Sequence, residues 1–215
     1  MLEDNSFGII VLLLGTAFLP LVAVTVTAFA KIAVVIFIVR NALGIQQLPP
    51  NIILYGLALI LSIYVAMPVL NESFSRLEET GFQFSTLDEW QNAGTMAMEP
   101  LKEFLQKHTD PKQLEFFANS TVTIWGDELS AKAGKDSMAV LVPSFLLSEL
   151  TRAFEIGFLL YLPFMAIDII VTTLLVALGM MMVPPTTISI PFKLMLFVFL
   201  DGWTKLVHGL ILTYA

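Results

Sequence analysis

Cysteine is absent from the 215 residues, which excludes disulfides, thiolate metal sites and a cysteine nucleophile. Charge is scarce. Only 13% of residues are charged, against about 25% in ordinary soluble domains. Histidine occurs twice, at His108 and His208. Neither has metal-ligand company, so both read as structural, and no metal or cofactor is implied. No glycine-rich loop is spaced to cradle phosphates, so any energy supply must come from other proteins. A net charge of −7 gives no electrostatic drive toward nucleic acid. Apolar residues are what the chain has in excess: 57% are hydrophobic and the mean hydropathy is +0.83. That composition points to an integral-membrane protein before any motif is read.

Four apolar regions follow one another. Phe7 to Ala30 is an uncharged run of 24 residues, long enough at ~1.5 Å per residue to cross a hydrocarbon core of roughly 30 Å. Beyond Lys31 the apolar character resumes as far as Val39. Asn51 to Leu70 is a second uncharged run. The third extends from Met138 to Val183, interrupted by Glu149, Arg152, Glu155 and Asp168. The fourth runs from Phe192 to Ala215, interrupted by Lys193, Asp201 and Lys205. The opening Met-Leu-Glu-Asp is acidic, unlike the basic start of a secretory signal peptide, so the first run is expected to be retained.

The expected fold is an all-α integral-membrane protein. Long kinked helices pair in hairpins, and a small helical polar module is inserted between the second and third apolar regions. The expected divisions are apolar helices over 1–70 with a connector at 40–50, an acidic module over 71–138, and a C-terminal helical hairpin over 139–215 with a Met-rich loop at 179–185. The module holds twelve of the eighteen acidic residues and six of the eleven basic ones. Arg40 edges the connector, Lys31 lies one helix stretch behind, and no acid offsets them. The positive-inside rule then puts the connector in the cytoplasm and the module outside, in a periplasm. Inside the module, Leu101, Phe104 and Leu105 recur at helical spacing and predict a helix over 100–108. Asp110 and Pro111 predict an N-cap and first helical residue, with Gln113 as the reciprocal capping-box partner. Gly81 to Gly94 reads as loop.

Two features resist four simple spans. Phe7 to Val39 would be about 50 Å long as one helix, and Ser144 to Gly179 about 54 Å. Each contains a proline, Pro20 and Pro163, where a kink is expected. Charges also sit where lipid should be. Asp168 has long apolar flanks, and a carboxylate at the bilayer centre costs roughly 2.5–3.5 kcal/mol even on a lenient scale. Arg152 with Glu155, and Asp201 with Lys205, are spaced to meet on one helix face. Asp168 has no base three or four positions away, so a partner on another helix or subunit is required, with Lys31 and Lys193 the candidates. Such charges call for an oligomer. Two other readings are open on the residues alone. A small-solute or ion transporter or channel would use broken helices and buried charges, but the chain has no internal repeat. An intramembrane aspartyl protease would pair Asp168 with Asp201.

Two blocks carry a family resemblance. The first is Arg40-Asn41-Ala42-Leu43-Gly44-Ile45-Gln46-Gln47-Leu48-Pro49-Pro50-Asn51, with Gly56-Leu57-Ala58-Leu59 after it. The second begins Ser148-Glu149-Leu150-Thr151-Arg152-Ala153-Phe154-Glu155-Ile156-Gly157-Phe158. It continues through Leu162-Pro163-Phe164, Ile167-Asp168, Gly179-Met180-Met181-Met182 and Pro191-Phe192-Lys193-Leu194, and closes on Asp201-Gly202-Trp203. Together they resemble the FliP/SctR family, export-gate subunits of flagellar and injectisome type III secretion. The resemblance implies no enzyme activity. It implies a pentamer in the bacterial inner membrane, joined by copies of a small helical-hairpin subunit and one larger related subunit. Unfolded secreted proteins are the implied cargo. The assembled helices are expected to project largely above the membrane plane on the periplasmic side, which would account for the excess lengths and charges. The acidic start together with Arg40-Asn41 favours the injectisome branch.

The loop Gly179-Met180-Met181-Met182-Val183-Pro184-Pro185 must end a helix and turn the chain, because the glycine admits unusual backbone angles and the prolines cannot continue a helix. Methionine is flexible and polarizable and adapts to irregular surfaces. Beside a helix end it more often packs than acts. The resemblance assigns Met180, Met181 and Met182 the role of a gasket around a passing chain. A thioether copper site is set aside, since three consecutive side chains diverge and no Cys or nearby His completes it.

Overall fold

The computed structural model describes residues 17, 20–45, 47–79, 87–132, 134–180 and 182–215. Among them there is no strand. The helices are α1 (Pro20–Val26), α2 (Phe29–Ala42), α3 (Asn51–Glu79), α4 (Leu87–His108), α5 (Pro111–Trp125), α6 (Asp127–Lys132), α7 (Met138–Ala177), α8 (Pro185–Phe199) and α9 (Gly202–Leu212). The all-α membrane architecture expected from composition is present. Among the described residues two helices, α3 and α7, are long and apolar enough to cross a membrane, or up to four if α1 with α2, and α8 with α9, each count as one bent span.

Breaks fall at places the prolines do not mark. The kink expected at Pro20 involves residues 18 and 19, which lie outside the described residues, and α1 is described from Pro20. The first run breaks at Thr27 and Ala28. There Thr27 Oγ1 donates to the Ala23 carbonyl at 2.7 Å and accepts from the Phe29 N–H at 3.4 Å. One hydroxyl thus closes α1 and caps α2. α7 runs through Pro163 for 40 residues without interruption. α3 likewise continues past Leu70 to Glu79. Glu72 and Arg76 support that extension as an i, i+4 ion pair.

The chain forms two compact units, each discontinuous in sequence. One comprises Met1–Ala30 with Ala66–Glu149, the other Lys31–Val65 with Leu150–Ala215. In the first, the predicted stripe of α4 is a working face. Leu105 is fully buried with Val26, Leu141 and Phe145, and Leu101, Phe104 and Leu114 pack around them. Phe104 lies between Phe145 and His108, with ring centroids 5.8 Å and 4.7 Å away. α4 begins at Leu87, so the part of the expected loop at 87–94 is helix. Residues 80–86 lie outside the described residues. Asp110 caps α5 as expected, accepting from the Lys112 N–H at 2.8 Å, with Pro111 opening the helix. The reciprocal bond differs. The Asp110 N–H donates to Ser148 Oγ at 2.9 Å and not to Gln113.

In the second unit, Ile32, Val35, Ile36 and Val39 of α2 are buried, together with Leu54 and Ala58 of α3 and Ala153 of α7. Gly157 lets α7 approach α2 so closely that a Cβ there would overlap Ile38. The α8–α9 corner bends by 61°. Asp201 turns it in the left-handed region, at φ 51°, a conformation that Asp tolerates better than most residues. A Cβ on the next residue, Gly202, would overlap the Phe197 ring.

Candidate gate loop and buried ion pair

α7 and α8 of the second unit carry the residues that bear on function. α7 ends in a Schellman motif. Gly179 stands at φ 72°, its N–H bonds the Val176 carbonyl at 3.0 Å, and the Met180 N–H bonds the Leu175 carbonyl at 2.9 Å. The two bonds satisfy carbonyls that a helix end leaves open. On the far side, Pro184 is the N-cap of α8 and Pro185 its first residue. A short loop is thus clamped at both ends. At its tip Met180 is 45% and Met182 98% exposed. Met181 lies outside the described residues.

Eleven residues back along α7, about 16 Å at helical rise, lies Asp168. Lys193 Nζ sits 2.6 Å from Asp168 Oδ2. Ser189 Oγ donates to Asp168 Oδ1 at 2.7 Å. Lys193 Nζ also donates to the Ala42 carbonyl at 2.9 Å. That carbonyl belongs to the last residue of α2, one of the groups a helix terminus leaves unsatisfied. One ammonium therefore ties α7, α8 and the end of α2 together. Of the two lysines offered by the sequence, Lys193 makes the pair, within a single chain. Lys31 is fully buried, with its Nζ 3.6 Å from the centroid of the Tyr214 ring.

The other charged residues differ in burial. Glu149 is fully buried, Arg152 is half-buried, and Glu155 and Lys205 are exposed. The expected side-chain pairs are not made. Among the described residues Glu155 forms no ion pair with Arg152, and Asp201 meets Lys205 only through the backbone, where the Lys205 N–H bonds the Asp201 carbonyl. An αL residue at a helix corner does not aim its side chain along the following helix face. Among the described residues no group of three or more potential ligands could hold a metal ion.

Sequence reasoning missed Ser189 and the Ala42 carbonyl. Ser189 was findable, because it lies four residues before Lys193 and so on the same face of α8. The Ala42 carbonyl leaves no mark in side-chain chemistry.

Residues 12–210 match the FliP family. The chain belongs to the FliP family. It is 53% identical over 197 residues to the probable translocation protein y4yL of Sinorhizobium fredii, covering 92% of this chain and 89% of that protein. It is 47% identical over 214 residues to the Yop proteins translocation protein R of Yersinia pestis, covering 100% and 98%. The virulence protein YscR of Salmonella typhimurium is 43% identical over 217 residues, covering 100% and 99%. This FliP-family chain is a membrane component of a type III secretion export apparatus, an assembly of several subunits, and not an enzyme.

Proposed function

We propose that this subunit forms the pore of the export gate in the bacterial inner membrane and conducts unfolded proteins through it, sealed by the loop at 179–185. The subunit assembles as a pentamer with copies of a small helical-hairpin subunit and one larger related subunit. The acidic module over 71–138 lies on the periplasmic side, and the assembled helices project toward it. One observation carries the reading. Met182 is almost wholly exposed on a loop whose two ends are fixed, by a Schellman motif and by Pro184-Pro185. A methionine packing within its own subunit would be buried. Flexible thioether side chains on rigid anchors are what a seal requires, since they deform around cargo while their attachment points hold register. Below them the Lys193–Asp168 pair fixes α7, α8 and α2 relative to one another, so the seal's base cannot drift when the tip yields.

The test replaces Met180, Met181 and Met182 together by alanine in the assembled complex. Cells expressing it should leak small ions and solutes while the complex still purifies intact. Undiminished sealing by an intact mutant complex would sink the gasket reading.

A further inference from the structure

A cavity of about 380 Å³ opens beside the α8–α9 corner in the second unit, lined by Arg40, Pro49, Leu194, Phe197, Asp201 and Trp203 among others. Most of its wall is apolar. Two opposite charges line it, and neither neutralises the other. Among the described residues no ion pair joins Arg40 to Asp201, nor either of them to another side chain.

Arg40 is held in place and half-buried, while the Asp201 side chain is exposed. Arg40 Nη1 donates to the Pro49 carbonyl and to Asn51 Oδ1. Its guanidinium carbon lies 4.7 Å from the Phe37 ring centroid, and its buried Nε has no acceptor. Guanidinium stays charged at any relevant pH, so this cation has neutral partners and no counter-anion. Asp201 is held in the left-handed region and makes no capping bond with its side chain. A half-buried guanidinium beside apolar walls is costly unless paired, and the exposed Asp201 carboxylate on the same wall can take a cation. A partner that suits both carries an anion and a cation on one headgroup and tolerates apolar walls. Leu48, Val198 and Phe199 are all strongly exposed around the connector and the end of α8. They offer a path for acyl chains, and Trp203 suits a membrane interface.

The geometry points to a site for a zwitterionic phospholipid with a primary ammonium, phosphatidylethanolamine, its phosphate on Arg40 and its ammonium on Asp201. Phosphatidylglycerol would satisfy Arg40 alone. Phosphatidylcholine brings both charges, but its quaternary ammonium has no hydrogen to donate. The inference is independent of the gasket reading, since no residue of the loop takes part.

The test measures lipid bound to the complex purified with its co-expressed partners, delipidated and re-exposed to each of the three lipids, by mass spectrometry. Wild type should retain phosphatidylethanolamine about tenfold over phosphatidylcholine, the size expected for one charge-assisted hydrogen bond. Asp201→Asn keeps a residue suited to the left-handed region and should abolish that preference while leaving phosphatidylglycerol unchanged. Arg40→Gln should weaken both phosphatidylethanolamine and phosphatidylglycerol, and Arg40→Lys should restore part of each. Equal retention of the three lipids by wild type would overturn the proposal. So would an unaltered preference in Asp201→Asn, or a cross-link at Val198 showing that a neighbouring subunit fills the cavity.

Discussion

Removing one partner of the Lys193–Asp168 pair should not cost the same from either side. The Lys193 side chain is 5% exposed and that of Asp168 37%. Asp168→Asn leaves a desolvated ammonium with neutral acceptors alone, the amide oxygen and the Ala42 carbonyl. An uncompensated buried charge of that kind costs about 3–5 kcal/mol. Lys193→Met leaves a carboxylate that keeps its Ser189 bond and is open enough to be partly solvated and screened. It also orphans the Ala42 carbonyl, so about 1–3 kcal/mol is expected. The double variant Asp168→Asn with Lys193→Met has no unpaired charge and should lie within about 1 kcal/mol of the milder single change. The assay is a double-mutant cycle on thermal or denaturant stability of the detergent-solubilised complex. An additive cycle would show that the pair is not an energetic unit. Equal costs for the two single variants would show that Asp168 is as desolvated in the assembly as Lys193, and the asymmetry argument would fail.

Other outcomes follow from single contacts. Gly202→Ala forces a Cβ into the Phe197 ring, so it should destabilise by about 1–3 kcal/mol, and a second change, Phe197→Leu, should recover part of the loss in the same unfolding assay. Asp110→Ala removes the α5 cap and should cost about 1 kcal/mol. Gln113→Ala should cost nothing measurable by the same assay, because Ser148 takes the Asp110 N–H.

Local chemistry was the legible part. The α4 stripe and the Asp110-Pro111 start depend on neighbours within four residues, and a sequence displays those directly. The capping-box partner was misread because Ser148 reaches Asp110 from 38 residues away. The break in the first apolar run needed a hydroxyl, Thr27, bonding in both directions, and no spacing rule displays that. At Asp168 the physics required a base and narrowed it to two lysines, but only the placement of α8 against α2 decided for Lys193. The Asp201–Lys205 pair was lost to backbone geometry, since i, i+4 spacing predicts contact only when both residues belong to the helix, and Asp201 stands just before it.

The subunit buries several polar and charged side chains and exposes many large apolar ones, unlike a water-soluble helical protein. Lys31, Ser144, Glu149, Ser189 and Lys193 are buried, while Ile60, Phe158, Ile169 and Val198 face outward. In water the exposed apolar surface would cost about 25 cal/mol per Å², so lipid or other subunits must cover it. Inside a membrane that surface supplies little drive for helices to associate, because lipid tails are as apolar as the side chains, and association rests on packing and on satisfied polar groups. The two sets of residues then have separate duties. The interior charges and hydroxyls fix how α2, α7 and α8 meet within one subunit, and the outer faces govern what that subunit meets. A change at Lys193 should therefore damage the subunit before it can assemble. A polar change at Phe158 should leave the subunit intact and fail at assembly.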